Sequence, residues 1–343
     1  MRALPLLWIA AAAAQNSSVC TEFDAIEIRI DASLDAKVHK AVQRTIKPKL
    51  AWHVFLRDGG ALPDRALAVI PVRRDRGPPA STLLYLTTHC SECHLSTLRW
   101  CWPSALRRSP LLGLADVLLY AGCTQLATDV ASWAHALAAL PVRNATLAWT
   151  RWNPGLQEGA LSAVMIAARR GWFDRYAWIV RTNPDVRFED TSFLAAEMRE
   201  SSAVLERCCP RNTSHPAICT DFFAARPAAM NHSLWAHGPR LLGRRVHNEW
   251  AAALVFQGAM DSGRATVWEI EDTYRTSGCR VGGHGIYHDH AFCARLPVSM
   301  PAAPVAVTPS YPYLASYAVF LLSFASVRLL SSFSTRRNNE HEK

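Results

Sequence analysis

Apolar runs broken by short polar segments recur along residues 51–227, and their spacing predicts strands separated by helices. Ala51-Trp-His-Val-Phe-Leu56 stops at Arg-Asp-Gly-Gly60, a strand entering a turn, and residues 73–80 read as a loop. Ser81-Thr-Leu-Leu-Tyr-Leu-Thr87 and Ala115-Asp-Val-Leu-Leu-Tyr120 are two further strands. Asp129–Leu140 has helical spacing, as does Gln157–Arg170, which is apolar at Leu161, Val164, Met165 and Ala168 and ends at Gly171. Tyr176-Ala-Trp-Ile-Val180 is next, an apolar strand that breaks into Arg181-Thr-Asn-Pro-Asp185 and reaches a second acidic cluster at Glu189-Asp190. Ile218–Pro227 is strand-like, 246–257 is helical, and the glycine-rich stretch 279–290 reads as a loop between strands. Strands alternating with helices predict an α/β fold with a mostly parallel sheet flanked by helices. Ligands in such sheets bind at the carboxyl ends of the strands, so Asp185, fixed behind Pro184 at a strand's end, is a site residue by position. The plainer alternative is a turn, with Asn183-Pro184 starting it and Asp185 capping it.

The pattern changes character at the two ends. Arg2 precedes an uncharged run, Ala3 to Ala14, that closes on small residues before Gln15-Asn16-Ser17-Ser18, the layout of a secretory signal peptide. Near the carboxyl terminus Tyr311 to Val327 carries no charge, and counting on to Phe333 gives about the 20 residues that a spanning helix needs. Tyr311, Tyr313 and Tyr317 suit one interface, and Arg336 and Arg337 mark the cytosolic side. The charged end Arg-Arg-Asn-Asn-Glu-His-Glu-Lys speaks against a GPI signal. The expected organisation is a signal peptide (1–15), a stem (16–48), one luminal α/β domain (49–300), a proline-rich spacer (301–312), a transmembrane helix (313–333) and a cytosolic tail (334–343). The expected location is a secretory-pathway membrane of the Golgi or ER, with the plasma membrane as the other destination.

Composition supports an oxidising compartment. The 10 cysteines are an even number, and sequons begin at Asn16, Asn144, Asn212 and Asn231. Cys208, Cys209 and Cys219 are expected to bracket a stapled loop, and Cys279 is expected to pair with Cys293. The net charge of +9 comes from dispersed arginines without an aromatic-interleaved stripe. That excludes nucleic acid as the expected partner and favours an anionic small molecule such as a nucleotide diphosphate, or an acidic glycan.

Asn153-Pro-Gly-Leu-Gln-Glu-Gly-Ala160, Gly171-Trp-Phe-Asp174, Tyr176–Arg181 and Asn183-Pro-Asp-Val186 follow one another in an order that resembles nucleotide-sugar glycosyltransferases of the GT-A type, through a little-characterised algal and protist group. The resemblance is strongest over residues 150–226. It implies a GT-A-like fold, a nucleotide-sugar donor, a glycan or protein acceptor, and Mn²⁺ or Mg²⁺ bridging protein carboxylates and the diphosphate. By position it implies Asp185 as metal ligand, with His288 or His290 as the late histidine of the class. Gln157, Arg181 and Asn183 are implied on the donor side, and Asp221 as catalytic base or acceptor ligand. Asn183 stands where the class carries a second carboxylate, and an amide is a weaker ligand for a hard cation.

Two rival readings stand beside this one. Cys90-Ser-Glu-Cys93-His94 matches the pattern for covalent c-type haem attachment, although disulfides with Cys101 or Cys123 explain the cysteines better in a luminal protein. Asn183 also suits a catalytically inactive binding protein that keeps the fold.

Overall fold

The computed structural model describes residues 34, 36–38, 40, 62, 64–75, 80–123, 130–153, 156–207, 217–231, 248–269 and 280–289, with a few side chains at element ends excepted. The chain divides into units 1–296 and 297–343, and the second lies wholly outside the described residues. So do the expected signal peptide, spacer, spanning helix and tail, the strand expected at 51–56, and the Cys279–Cys293 pair. Among the described residues no helix is long and apolar enough to cross a membrane.

An eight-stranded sheet forms the middle layer, in the order β1-β4-β3-β2-β5-β8-β7-β9. The strands are β1 (Ala68–Arg73), β2 (Thr82–Thr88), β3 (Asp116–Gly122), β4 (Ala145–Thr150), β5 (Trp178–Thr182), β7 (Ala203–Arg207), β8 (Ile218–Ala225) and β9 (Ala265–Glu269). Pairs β4–β3, β3–β2, β2–β5 and β7–β9 are parallel, and the rest are antiparallel. Such a sheet flanked by helices fits the GT-A-like α/β expectation. β2 and β3 are buried along their whole length, which is why they read as unbroken apolar runs rather than alternating ones.

Helices α1 (Glu92–Trp100), α2 (Trp102–Arg108), α3 (Val130–Ala138) and α5 (Ser192–Glu200) cover one face, where Leu84, Leu86, Leu119, Trp102, Trp133 and Leu194 share a core. Helices α4 (Leu156–Arg169) and α6 (Asn248–Asp261) cover the other, over Tyr85, Leu118, Ile179, Phe223 and Phe256. Replacing a fully buried leucine such as Leu84 by alanine would cost about 2–5 kcal/mol. Gly171 ends α4 with φ +66°, as the sequence predicts.

Three elements depart from the sequence reading. β1 went unpredicted because Pro71 interrupts it. It is an edge strand paired only with β4, where a missing N–H is tolerated, and its register shifts between Pro71 and Arg73. β5 runs on through Arg181 and Thr182, since these polar side chains are buried rather than solvated. The glycine-rich stretch is a hairpin, β10 (Arg280–Gly283) and β11 (Ile286–Asp289), that joins β6 (Val186–Phe188) in a three-stranded antiparallel sheet.

The connections place the site. From β2 the chain passes through α1 and α2 to β3 and through α3 to β4, all to one side of β2. It then returns through α4 to β5 on the other side. The strand order reverses between β2 and β5, and in open α/β sheets ligands generally bind outside the carboxyl ends of the strands at such a point.

Candidate active site at the strand switch point

The end of β5 is a tight turn. Pro184 and Asp185 are its central residues, and the Val186 N–H donates to the Asn183 carbonyl at 3.2 Å. Trp102 Nε1 on α2 donates to the Pro184 carbonyl at 2.7 Å, and the Asn183 N–H donates to the Asp221 carbonyl at 3.1 Å. The turn alternative therefore holds in its geometry. The turn holds Asp185 at the carboxyl end of β5 with 6% of its surface exposed.

Two histidines from opposite elements meet this carboxylate. His94 Nε2 lies 3.1 Å and His288 Nε2 2.9 Å from the same oxygen, Asp185 Oδ2. His94 stands in the first turn of α1, directly after β2, where the Ser91 side chain caps the helix by accepting from the His94 N–H. His288 sits on β11 opposite Val186, so the hairpin's pairing with β6 delivers it beside Asp185. Gly282 allows that hairpin, with φ +142° and the Ile286 carbonyl oxygen crowding the place where a Cβ would stand.

The other ring nitrogens are also held. His94 Nδ1 bonds Thr88 Oγ1 at 2.8 Å, and Thr88 Oγ1 accepts from the Cys90 N–H. His288 Nδ1 lies 3.1 Å from Asp221 Oδ2. Asp221 is aimed by an irregularity in the sheet. Leu205 faces Phe223 and Arg207 faces Ile218, so Cys219 to Phe222 bulge out against Glu206 alone. Cys219 keeps its thiol, with Sγ 3.9 Å from Asp221 Oδ2, and the stapled loop expected at this residue does not include it.

Asn183 and Arg181 face inward. Asn183 Nδ2 donates to Asp221 Oδ1 at 2.7 Å, and Asn183 Oδ1 accepts from Thr87 Oγ1 at 3.1 Å and from Arg181 Nη2 at 2.7 Å. Arg181 is fully buried beside Tyr85 on β2. No part of its side chain is open to solvent there. It underpins the site. Gln157 lies in the first turn of α4 with its side chain outside the described residues, as is the whole of His290.

The charges are coupled. Burial alone would raise the Asp185 carboxyl, but the hydrogen bonds from His288 and His94 outweigh it and hold the group well below the usual range. Asp221 is likewise pushed up by burial and brought down further by His288 and Arg181. Burial pulls His288 down, and its bonds to Asp185 and Asp221 lift it well above 6.5. Glu206, 4% exposed, is raised to about 7 by burial and by the Asp221 charge.

The donor chemistry bears on the implied cation. Imidazoles with a carboxylate suit Mn²⁺ and its transition-metal neighbours better than Mg²⁺, which prefers oxygen and water. Among the described residues no group of three or more His, Cys, Asp or Glu is placed to hold a metal ion. Asp185 Oδ1, however, is buried with no hydrogen-bond partner among the described residues.

The haem alternative fails. Cys90 is bonded to Cys123, Cys93 is also in disulfide form, and His94 is turned to Asp185. Sequence reasoning assigned His94 to that motif and so missed it as a site residue. The signal was present, because Thr87-Thr-His-Cys-Ser-Glu-Cys-His94 is also an apolar strand breaking into polar residues at its carboxyl end.

No family model matches the chain, and no curated protein matches it. Among solved structures it is similar to a glycosyltransferase involved in the glycosylation of the major capsid of PBCV-1, at 12% identity over 56% of this chain and 82% of that one, TM-score 0.34. It is also similar to mouse xyloside xylosyltransferase 1 in its apo form, at 12% identity over 63% and 99%, TM-score 0.38. A third is 4-diphosphocytidyl-2C-methyl-D-erythritol synthase from Anaerococcus prevotii DSM 20548, at 10% identity over 57% and 90%, TM-score 0.36. Likeness at this level carries no functional argument, and the chemistry of the site has to supply one.

Proposed function

We propose that the chain is a membrane-anchored luminal glycosyltransferase that moves a sugar from a nucleotide-diphosphate donor to a glycan or protein acceptor. The observation that carries this reading is the position of Asp185, fixed by a proline turn at the switch point between β2 and β5 and met there by two histidines. A bound divalent cation would supply charge to the departing diphosphate, and Asp185 with His288 would hold it. The signal-like start, the apolar stretch near the end and the Cys90–Cys123 disulfide support a body in the secretory lumen.

The chain's own groups divide the work. Asp185 is buried and ionised and suits the donor side. Asp221, whose side chain is 31% exposed, suits the acceptor side. Because His288 and Arg181 keep its pKa low, Asp221 accepts a hydrogen bond from an acceptor hydroxyl more readily than it takes up a proton. Arg181, Asn183 and Thr87 hold these acids from beneath.

The test is to incubate the purified full-length protein with a panel of nucleotide sugars, with and without Mn²⁺, and measure binding and release of nucleoside diphosphate. Turnover of one donor supports the transferase. Tight binding without turnover by any acceptor supports the inactive binding protein, and no binding at all removes both.

A further inference from the structure

We propose that Asn231 carries an N-linked glycan, while Asn144, at the head of another tripeptide of the same kind, stays unmodified. The sequence offers Asn144-Ala-Thr146 and Asn231-His-Ser233 alike, and the fold separates them. The assignment rests on the proposed luminal placement of the body, where the donor is a lipid-linked oligosaccharide diphosphate. In that transfer the Asn side-chain nitrogen bonds to the anomeric carbon and gives up one proton to solvent. The bond from that carbon to the diphosphate oxygen breaks, and its electron pair leaves with the lipid diphosphate.

Asn144 is engaged at both ends of its amide. Its Nδ2 donates to Asp116 Oδ1 at 2.8 Å, and its Oδ1 accepts from the Asp75 N–H at 3.2 Å. Asp116 is buried and also accepts from Arg175 and Tyr176, so the nitrogen that a glycan would occupy points into a packed polar cluster. The backbone around it is bound as well. The Asn144 carbonyl accepts from the Val117 N–H at 2.8 Å, and Thr146 lies inside β4, between Pro71 of β1 and Leu118 of β3. A glycan is bulky and solvated and needs an open path to water. At Asn144 it would have to push aside the cluster that anchors the start of β3.

Asn231 stands in the opposite condition. It is exposed, one residue beyond the 3₁₀ turn Pro227–Ala229. Met230 before it is buried in the core on the α6 side, and the Asn231 N–H donates to the Val255 carbonyl of α6 at 2.9 Å. The main chain is therefore anchored where the residue's own surface is open.

Its placement is compatible with the proposed site. β8 is antiparallel to β5, so it starts with Asp221 near the carboxyl end of β5 and runs towards the other edge of the sheet. There the Arg226 N–H donates to the Ser202 carbonyl and the Ser202 N–H to the Arg264 carbonyl, beside the starts of β7 and β9. The chain reaches Asn231 from that far edge.

The test uses the full-length protein made in the secretory pathway of a eukaryotic cell. Its glycans are cut by an amidase in heavy-oxygen water, which turns each modified Asn into labelled Asp, and the peptides are mapped by mass. Label is expected at Asn231 and not at Asn144. Ser233→Ala should lose the mass of one glycan. Thr146→Val, which deletes the other tripeptide but keeps the Asn144 amide, should lose none. The wild-type map decides alone, so a variant that misfolds does not shield the assignment. Label at Asn144, or none at Asn231 in a body that intact membrane vesicles protect from added protease, would overturn the assignment alone. No glycan anywhere in a body that the protease digests would remove the luminal reading, and the assignment with it.

Discussion

Asn183 is committed at both ends of its amide, to Asp221 on one side and to Thr87 and Arg181 on the other. Converting it to the acid usual in the GT-A class should therefore damage the site rather than improve it. Asn183→Asp removes the donor to Asp221 and sets two carboxylates against each other, at a cost of about 1–3 kcal/mol. Thermal denaturation should show a lowered midpoint, and donor turnover should fall; a gain in turnover would mean that residue 183 does face the cation. Glu206 gives a pH signature. Its pKa in the fold is about 7 against an ordinary 4.5, so the unfolded chain loses that proton first and stability declines as pH rises between those values. Glu206→Gln should raise the melting midpoint at pH 8 by a few degrees and change it little at pH 5. An equal change at both would show that Glu206 does not titrate in this window. The acids Asp185 and Asp221 act oppositely, contributing stability above about pH 4 that is lost as pH falls through their lower folded values. His288, raised in the fold, contributes stability that is complete below 6.5 and is lost as pH climbs through its folded value.

At the scale of elements, the site depends on three strand ends and one hairpin. The hairpin pairs with the short β6, turns on Gly282, and is held at its tip by the Glu189 N–H donating to the Gly285 carbonyl and by His284 stacking on Phe193. Gly282→Ala forces a Cβ towards the Ile286 carbonyl oxygen at a positive φ, and about 1–3 kcal/mol of destabilisation should result, with weakened cation uptake through a displaced His288. A variant with unchanged melting and uptake would show that the hairpin does not set His288. The amino ends of the strands carry a different cluster. Asp116, 2% exposed, accepts from Asn144, Arg175 and Tyr176, so Asp116→Ala should cost about 2–4 kcal/mol without altering the site at the far end. Donor turnover that fell as steeply as stability would contradict this separation. The same cluster uses the Asn144 amide, so that sequon serves the fold. Strands β2, β3 and β5 were legible as apolar runs because full burial demands them. β1 was hidden by Pro71, and the hairpin by its glycines. The burial of Arg181 within β5 was not legible, because a buried arginine looks in sequence like the polar end of a strand. His94 was obscured by a cysteine spacing that in fact serves disulfides.

At the scale of the molecule, a sheet whose strand order reverses between β2 and β5 lies in a chain whose sequence leads one to expect a signal peptide and a spanning helix. The Cys90–Cys123 link ties the β2 end, with Thr88 and His94 beyond it, to the end of β3, closing a loop of 33 residues. Loop-closure entropy for that span is about 3–4 kcal/mol, so reduction should loosen the donor side first. The asymmetry of the site was not legible in sequence, because it depends on which strands become neighbours. What the sequence did show was one strand ending in Asn183-Pro184-Asp185, and that acid remains the pivot of the proposed chemistry. The most direct measurement is nucleotide-sugar binding and turnover by the full-length protein, compared between wild type and Asp185→Ala with Mn²⁺ present. Wild type is expected to bind and turn over one member of a donor panel, and Asp185→Ala, folded by circular dichroism, to lose turnover by at least about 100-fold. Full turnover in Asp185→Ala, or no nucleotide sugar bound by wild type, would refute the role given to this carboxylate.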